Sequence, residues 1–393
     1  MKFEDIFIKS SIPIFSEIKS TSNLVKPNFD NFIEKVKQSY EHKNFKQGKQ
    51  VLDFENKLSK VHGTKECIAF CNGLWGMVLT IQALCLPHKT EVIMPAMTYR
   101  RLADITAWLN LTPHFCDIEP EGLGATVATV ESCINSDTGL LLIAQPIVKV
   151  CDMHAFERLG KKYSIPVLFD SVEAGVGTLK NKKIGSFGAA ECFSMHASKL
   201  INGFEAGYIT TNDTQLAEKL RELRSNGLNN NNAIISNGLN TELNEIHAAM
   251  GLIGLAELGP QIERNKTRYY LYKQLLKTLP SVTLVEYDEQ EARGYKNILI
   301  KLEDNWPLSR QETLILMHQD NILARPYYWP VLHTKETDYP TISGNIVHAN
   351  NVSEQYILMP SGEFLSLEDI HRVVDYLKII HYNSQEIKER LSI

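Results

Sequence analysis

The sequence predicts an α/β protein: a large domain with a mostly parallel seven-stranded sheet covered by helices, then a smaller C-terminal α/β domain. Two observations carry this expectation. Seven short apolar or β-branched runs follow one another at Glu66–Phe70, Glu91–Met94, His114–Ile118, Leu140–Gln145, Pro166–Asp170, Ala190–Met195 and Gly207–Thr211. Between most of them lie stretches of helical periodicity, such as Leu74–Leu84, Met153–Tyr163 and Thr214–Leu223. Runs apolar on both faces and separated by helices belong to a parallel sheet buried on both sides. In such sheets ligands gather at the carboxyl ends of the strands.

The flanking elements divide the chain into four parts. Residues 1–50 form an N-terminal segment packing on the large domain, with one amphipathic helix expected from Phe29, Phe32, Ile33, Val36 and Tyr40. Residues 51–240 are the large domain, ending in Asn226–Asn240, a connection with seven asparagines and two glycines. Residues 241–280 supply connecting helices, with an interruption expected near Gly259-Pro260. Residues 281–393 are the small domain, with strands expected at Val282–Glu286, Tyr295–Leu302 and Ile322–Pro326 and helices at Arg310–Gln319 and Leu367–Ile380.

Composition narrows the function classes. The 393 residues carry 41 Lys and Arg against 46 Asp and Glu, a net charge of −5, which argues against nucleic acid or an anionic membrane as partner. A hydrophobic share of 44% and a charged share of 22% fit a globular protein. No run approaches the ~20 apolar residues of a membrane span. Lys2, Glu4 and Asp5 precede any apolar stretch, so no secretory leader is expected. Seven cysteines without a CxxC pair suit the reducing cytoplasm, and twelve histidines lack metal-ligand spacing.

Two strand ends stand out. Pro166–Asp170 is an apolar run ending in a carboxylate, and the next strand runs into Ser194-Met195-His196-Ala197-Ser198-Lys199. A lone lysine is ordinarily a solvated surface group, and Asp170 alone could cap the following turn. Together they say more. A lysine at the mouth of an apolar strand can form imines, and a neighbouring carboxylate suits the ring nitrogen of pyridoxal phosphate.

The motifs FENKLSKVHGTK, CNGLWGMVL, EVIMPAMTYR, FCDIEPE, IPVLFDSVEAGVG, GSFGAAECFSMHASKLINGFEAGYITTND, GLNTELNEIHAAMGL and ARPYYWPVLH sharpen this. In order and spacing the chain resembles the DegT/DnrJ/EryC1/StrS family of sugar aminotransferases, fold type I enzymes dependent on pyridoxal 5'-phosphate. The resemblance implies that Lys199 carries the cofactor as a Schiff base and that Asp170 pairs with its ring nitrogen. It implies that Tyr99 stacks on the ring and that Ser194 binds the phosphate. The Gly73-Leu74-Trp75 turn would offer the phosphate a helix N-terminus. Asn240 would reach the cofactor of a neighbouring subunit, which implies a homodimer with shared active sites. L-glutamate would donate the amino group to a nucleotide-linked keto sugar, in polysaccharide or natural-product assembly. His196, Tyr328, Trp329 and His333 fall in substrate-binding positions, although packing of the small domain competes for the last three.

Several positions depart from the family. Leu74 stands where threonine is usual; one charge-assisted hydrogen bond lost would cost about 1.5–3 kcal/mol of cofactor binding. Glu173 stands where glutamine or histidine lies beside the cofactor's phenolic oxygen. An ionised glutamate cannot donate there, so Glu173 is expected either protonated or turned away. Glu242 replaces a common arginine and Ala206 a common glycine, and Pro146–Cys151 lacks the usual Tyr-Gly. Arg100 and Arg101 could bind an anionic substrate or form external salt bridges. An aminotransferase acting on a cyclitol, and a cofactor-binding regulator without turnover, remain open alternatives. The family's dehydratases carry histidine in place of the lysine, and Lys199 argues against them.

Overall fold

All seven expected strands are present in the computed structural model, which describes residues 13–21, 27–41, 48–229, 231 and 233–391. Asn230 and Asn232 of the asparagine-rich connection, and parts of the N-terminal segment, lie outside the described residues. The strands are β1 (Glu66–Phe70), β2 (Glu91–Pro95), β3 (Thr112–Cys116), β4 (Thr138–Ala144), β5 (Val167–Asp170), β6 (Ala190–Ser194) and β7 (Gly207–Thr211). Their spatial order is β3-β2-β4-β5-β6-β7-β1. Neighbours from β3 to β6 pair in parallel, and β7 runs antiparallel between β6 and β1. An eighth strand, not anticipated, is the two-residue Ile342–Ser343, which pairs in parallel with β3 at the edge.

Burial on both faces explains why the strand signal was continuous apolar chain. Every residue of β2 and β4 is buried. Leu140 and Leu142 join the apolar cluster on one face, and Leu141 and Ile143 join the cluster on the other. The first cluster continues into the C-terminal part through Ile298, Ile300 and Ile357.

That part holds an antiparallel sheet of β8 (Val282–Leu284), β9 (Ile298–Leu302), β10 (Arg325–Pro326) and β11 (Tyr356–Met359), in the order β8-β9-β11-β10. The sequence reading missed β11 although it lies inside the sheet. It also merged Ile322–Leu323 with β10, whereas Ile322–Leu323 pairs with Lys19–Ser20. The connecting helices break at Glu257, between Glu245–Ala256 and Leu258–Leu276, slightly before the expected point. Pro260 then sits in the first turn of the second helix, where its missing N–H has no intrahelical partner in any case.

Two N-terminal helices flank the large sheet. Phe29–Glu41 forms as expected, but Phe29, Ile33 and Tyr40 of its apolar stripe are exposed. Lys49–His62 was not anticipated. Its N-cap is Gly48, which offers no side chain, and the buried carboxylate of Glu245 accepts instead from the N–H groups of Gly48 (2.9 Å), Gln50 (3.0 Å) and Val51 (3.0 Å). A carboxylate at a helix N-terminus satisfies orphan donors and complements the dipole. Replacing Glu245 with Ala is expected to lower stability by about 1.5–3 kcal/mol or more. A lower urea midpoint at unchanged slope would register the loss, and Glu245→Gln is expected to fall between the two.

Candidate active site

The strand ends converge because of how β7 is inserted. Gly207 pairs with Ser194 on one side and Phe70 on the other. The chain leaving β1 therefore turns at Asn72 directly beside the end of β6. A Cβ on Gly207 would overlap the backbone of Gly73, and a Cβ on Gly73 would lie 3.1 Å from the Phe193 carbonyl and 3.3 Å from Ser194 Cβ. Both glycines allow this approach. Asn72 caps the Gly73–Leu84 helix by accepting from Trp75 N–H (2.9 Å). As first-turn residues, Gly73 and Leu74 have N–H groups with no intrahelical acceptor. Leu74 and Trp75 pack against the core, and Trp75 stacks on Trp108.

Lys199 lies in the loop joining β6 to β7. That loop is closed by backbone bonds from Ala197 N–H to Phe204 (2.8 Å), Gly203 N–H to Met195 (2.9 Å) and Met195 N–H to Ala206 (2.7 Å). A turn bond from Lys199 N–H to the His196 carbonyl (2.8 Å) fixes its backbone. Its amine donates to Glu173 Oε1. Asp170, at the end of β5, is buried and accepts from Val172 N–H (3.2 Å). Burial pushes its carboxyl up to about 6, against the opposing pull of Lys199.

In the cofactor-free protein Glu173 faces Lys199 with its carboxyl held low, where the sequence left it either protonated or turned from the cofactor. Its carboxylate accepts from Asn297 Nδ2 (3.0 Å) as well as Lys199, and Lys296 Nζ lies 4.0 Å from Oε2. Burial raises its proton affinity, but Lys199 and Lys296 outweigh that and bring it down to about 2. The sequence reading missed Lys296 and Asn297 as functional residues. The available signal was a lysine and an asparagine opening an otherwise apolar strand.

The remaining expected residues divide. Ser194, at the end of β6, accepts from His196 N–H (3.3 Å). Tyr99 is exposed just after β2. Tyr328, in the segment after β10, packs against the Tyr327 ring (centroids 4.8 Å apart), and burial pushes its phenol well up, with Glu173 and Asp170 adding to the rise. His196 is exposed and bonds Ser198 Oγ (2.9 Å). Trp329 is exposed with the Arg310 guanidinium over its ring, and burial pushes the His333 imidazole down against the pull of Asp117. Asn240 is exposed and bridges to Ser225, with Ile234, Ile235 and Leu239 also exposed nearby in the chain. Arg101 is held by Asp104 (2.9 Å), the external salt bridge among its two expected roles. Glu242 accepts from Ser225 Oγ (2.6 Å). All seven cysteines are free, and no metal-binding cluster occurs among the described residues. Nor is any helix among them long and apolar enough to cross a membrane.

A doubly covered parallel sheet whose carboxyl edge gathers a lysine amine, a buried aspartate and a glycine-opened helix N-terminus defines an α/β enzyme of the aminotransferase class. The chain belongs to the DegT/DnrJ/EryC1/StrS aminotransferase family, whose sequence profile matches residues 28–378. It is 26% identical over 330 residues to dTDP-4-amino-4,6-dideoxy-D-glucose transaminase of Escherichia coli, covering 83% of this chain and 88% of that protein. It is 26% identical over 332 residues to GDP-perosamine synthase of Caulobacter vibrioides, covering 83% and 89%. The fold matches that of DesI, solved in the presence of its TDP-sugar product, with a TM-score of 0.93 over 100% of both chains at 23% identity.

The two site carboxylates give opposite pH signatures in the cofactor-free protein. Asp170, raised in the fold, contributes stability that is present below about 4 and lost as pH rises through about 6. Glu173, lowered in the fold, contributes stability present above its ordinary range and lost as pH falls through about 2. Asp170→Asn is therefore expected to stabilise the cofactor-free protein at pH 8 by on the order of 2–3 kcal/mol. Denaturant melts of both proteins at several pH values should show the gain vanish below about pH 4.

Proposed function

We propose that this aminotransferase uses pyridoxal 5'-phosphate bound at Lys199 to move an amino group from L-glutamate to a keto group of a nucleotide-linked deoxysugar. The observation that carries the reading is the gathering of Lys199, Asp170 and the Gly73 helix N-terminus at one sheet edge. The donor set fits the cofactor. An amine is present for its aldehyde, a buried carboxylate of raised proton affinity for its ring nitrogen, and a close-packed glycine turn with free N–H groups for its phosphate. When bound, the cofactor supplies an aldehyde that accepts the amino group and a ring that spreads the charge of a carbanion.

The protein's residues then have separate tasks. Gly73 and Leu74 N–H groups and the Ser194 hydroxyl would hold the phosphate, with Leu74 contributing backbone alone. Asp170, short of polar partners in its buried position, holds the proton on the ring nitrogen, because a cation there removes the penalty of its own charge. Tyr99, exposed in the cofactor-free protein, would stack on the ring, where an offset contact would add about 0.5–1.5 kcal/mol. Lys199 Nζ would carry the cofactor and, when free of it, would be the base and acid that moves a proton at the substrate carbon. Tyr328 lines the substrate side.

The nucleotide-sugar class is supported by the relatives' activities on dTDP- and GDP-linked sugars. A homodimer is supported by exposed apolar side chains at Phe29, Ile33 and Tyr40 on the first helix and at Ile234 and Ile235 in the segment that leads to the exposed Asn240. A second copy would cover the apolar residues and give Asn240 a partner site. Light scattering should then give twice the chain mass of 44.5 kDa.

Adding L-glutamate to the loaded enzyme should replace the visible imine band with the near-ultraviolet band of the amine form, and Lys199→Ala should show neither the imine band nor the change. A panel of dTDP-, GDP- and UDP-linked keto-deoxysugars, scored by product mass, then identifies the acceptor. An unchanged spectrum with glutamate would sink the aminotransferase assignment for this donor.

A further inference from the structure

A second lysine is buried at the site. Lys296 leads into β9 of the antiparallel sheet, and its side chain is 13% exposed against 21% for Lys199 and 14% for Glu173. Its Nζ lies 4.0 Å from Glu173 Oε2, while Glu173 Oε1 accepts from Lys199. Asn297 Nδ2 bonds the same Oε2 at 3.0 Å. The carboxylate is thus clamped from two lobes: Lys199 on the β6–β7 loop, and Lys296 and Asn297 before β9. Behind it, the cavity lined by Glu173, Leu200, Tyr295 and Lys296 measures about 30 Å³, room for one water and no substrate. The charged group that Lys296 Nζ faces is the Glu173 carboxylate.

We infer that Lys296 is a positioning residue for Lys199: through Glu173 it holds the carboxylate ionised and aimed at the Lys199 amine, and its own charge limits how strongly that carboxylate retains the amine's proton. A glutamate alone would clamp Lys199 as an ammonium, which is not nucleophilic. A cation on the far side of the same carboxylate weakens that clamp, so the pair Glu173 and Lys296 does the work of a neutral residue at position 173 while keeping a proton acceptor beside Lys199. Burial and the neighbouring Lys199 and Arg325 push Lys296 down to about 8 against the pull of Glu173, so it remains largely protonated at neutral pH. Other charged or titratable groups facing the cluster include Asp170 at the end of β5, Lys149, Tyr287, Arg293 and Tyr295 before β9, and Tyr327 and Tyr328 after β10.

The inference rests on Lys199 being the imine-forming amine, and the test separates the two. Full-length protein stripped of cofactor is treated with pyridoxal phosphate and cyanoborohydride across pH 6–10, and the modified lysine is identified and quantified by peptide mass. Trapping of the parent at any lysine other than Lys199, Lys296 included, would overturn the active-site assignment. With Lys199 trapped, Lys296→Met is expected to move the pH of half-maximal trapping up by about one unit, and Glu173→Gln to move it down by about as much, since removing a cation and removing an anion act with opposite sign. Lys296→Arg, which keeps its cation across the whole range, should leave the midpoint at or below that of the parent, and Lys296→Gln should shift it in the same direction as Met if the methionine variant folds poorly. Midpoints that coincide across the folded variants, or that move the same way for Glu173→Gln and Lys296→Met, overturn the inference, because a merely structural role gives no such opposition.

Discussion

The contact of Gly73 with Gly207 is the constraint on which the site depends. β7 is the one strand of the large sheet that runs against its neighbours, and Gly207 begins it with partners on both sides. Because neither glycine carries a side chain, the chain leaving β1 can turn into a helix immediately beside Ser194. Any Cβ at position 207 would push that helix start away from the end of β6. The same antiparallel insertion creates the loop between β6 and β7, and that loop carries Lys199. The position of the helix start and that of the amine are therefore products of one topological feature.

Charge within the site is set by burial and by the second lobe. Asp170 and Glu173 are three residues apart, yet one is pushed toward neutrality and the other held ionised. Asp170 has burial and a single backbone donor; Glu173 has two lysines and an amide. The residues that make the difference, Lys296 and Asn297, come from the C-terminal sheet, as does Tyr328. The charged cluster around Glu173 is consequently assembled from both sheets, with Lys199 coming from the large one and Lys296 and Asn297 from the smaller one. Pairs of titratable groups whose surroundings push them apart in this way are how one site holds both a proton donor and a proton acceptor.

Much of the frame was legible because its signals are local. Each of the seven strands is a short run buried on both faces, so hydrophobicity alone marked it, and Met153–Tyr163 and Arg310–Gln319 carried their own capping residues, Asp152 and Ser309. The Lys49–His62 helix was missed because its cap is Glu245, nearly two hundred residues away. β11 was missed because Tyr356–Met359 is a short apolar run directly after the His348–Ser353 helix and a two-residue turn, and such a run does not by itself distinguish strand from helix. Ile342–Ser343 is a strand only because β3 leaves an edge open.

The sequence by itself determined the α/β class, the strand ends that carry Asp170 and Lys199, and the family to which their motifs are similar. These follow from hydrophobic patterning and from motif order, which are properties of the chain taken a few residues at a time. Tertiary structure decided the electrical state of the site. Glu173 looked like an acceptor misplaced beside a phenolate, and local reasoning left it either neutral or averted. It is ionised and faces Lys199 because a lysine and an asparagine more than a hundred positions later fold against it. Coulombic balance depends on distance in space, and spacing along the chain does not contain it.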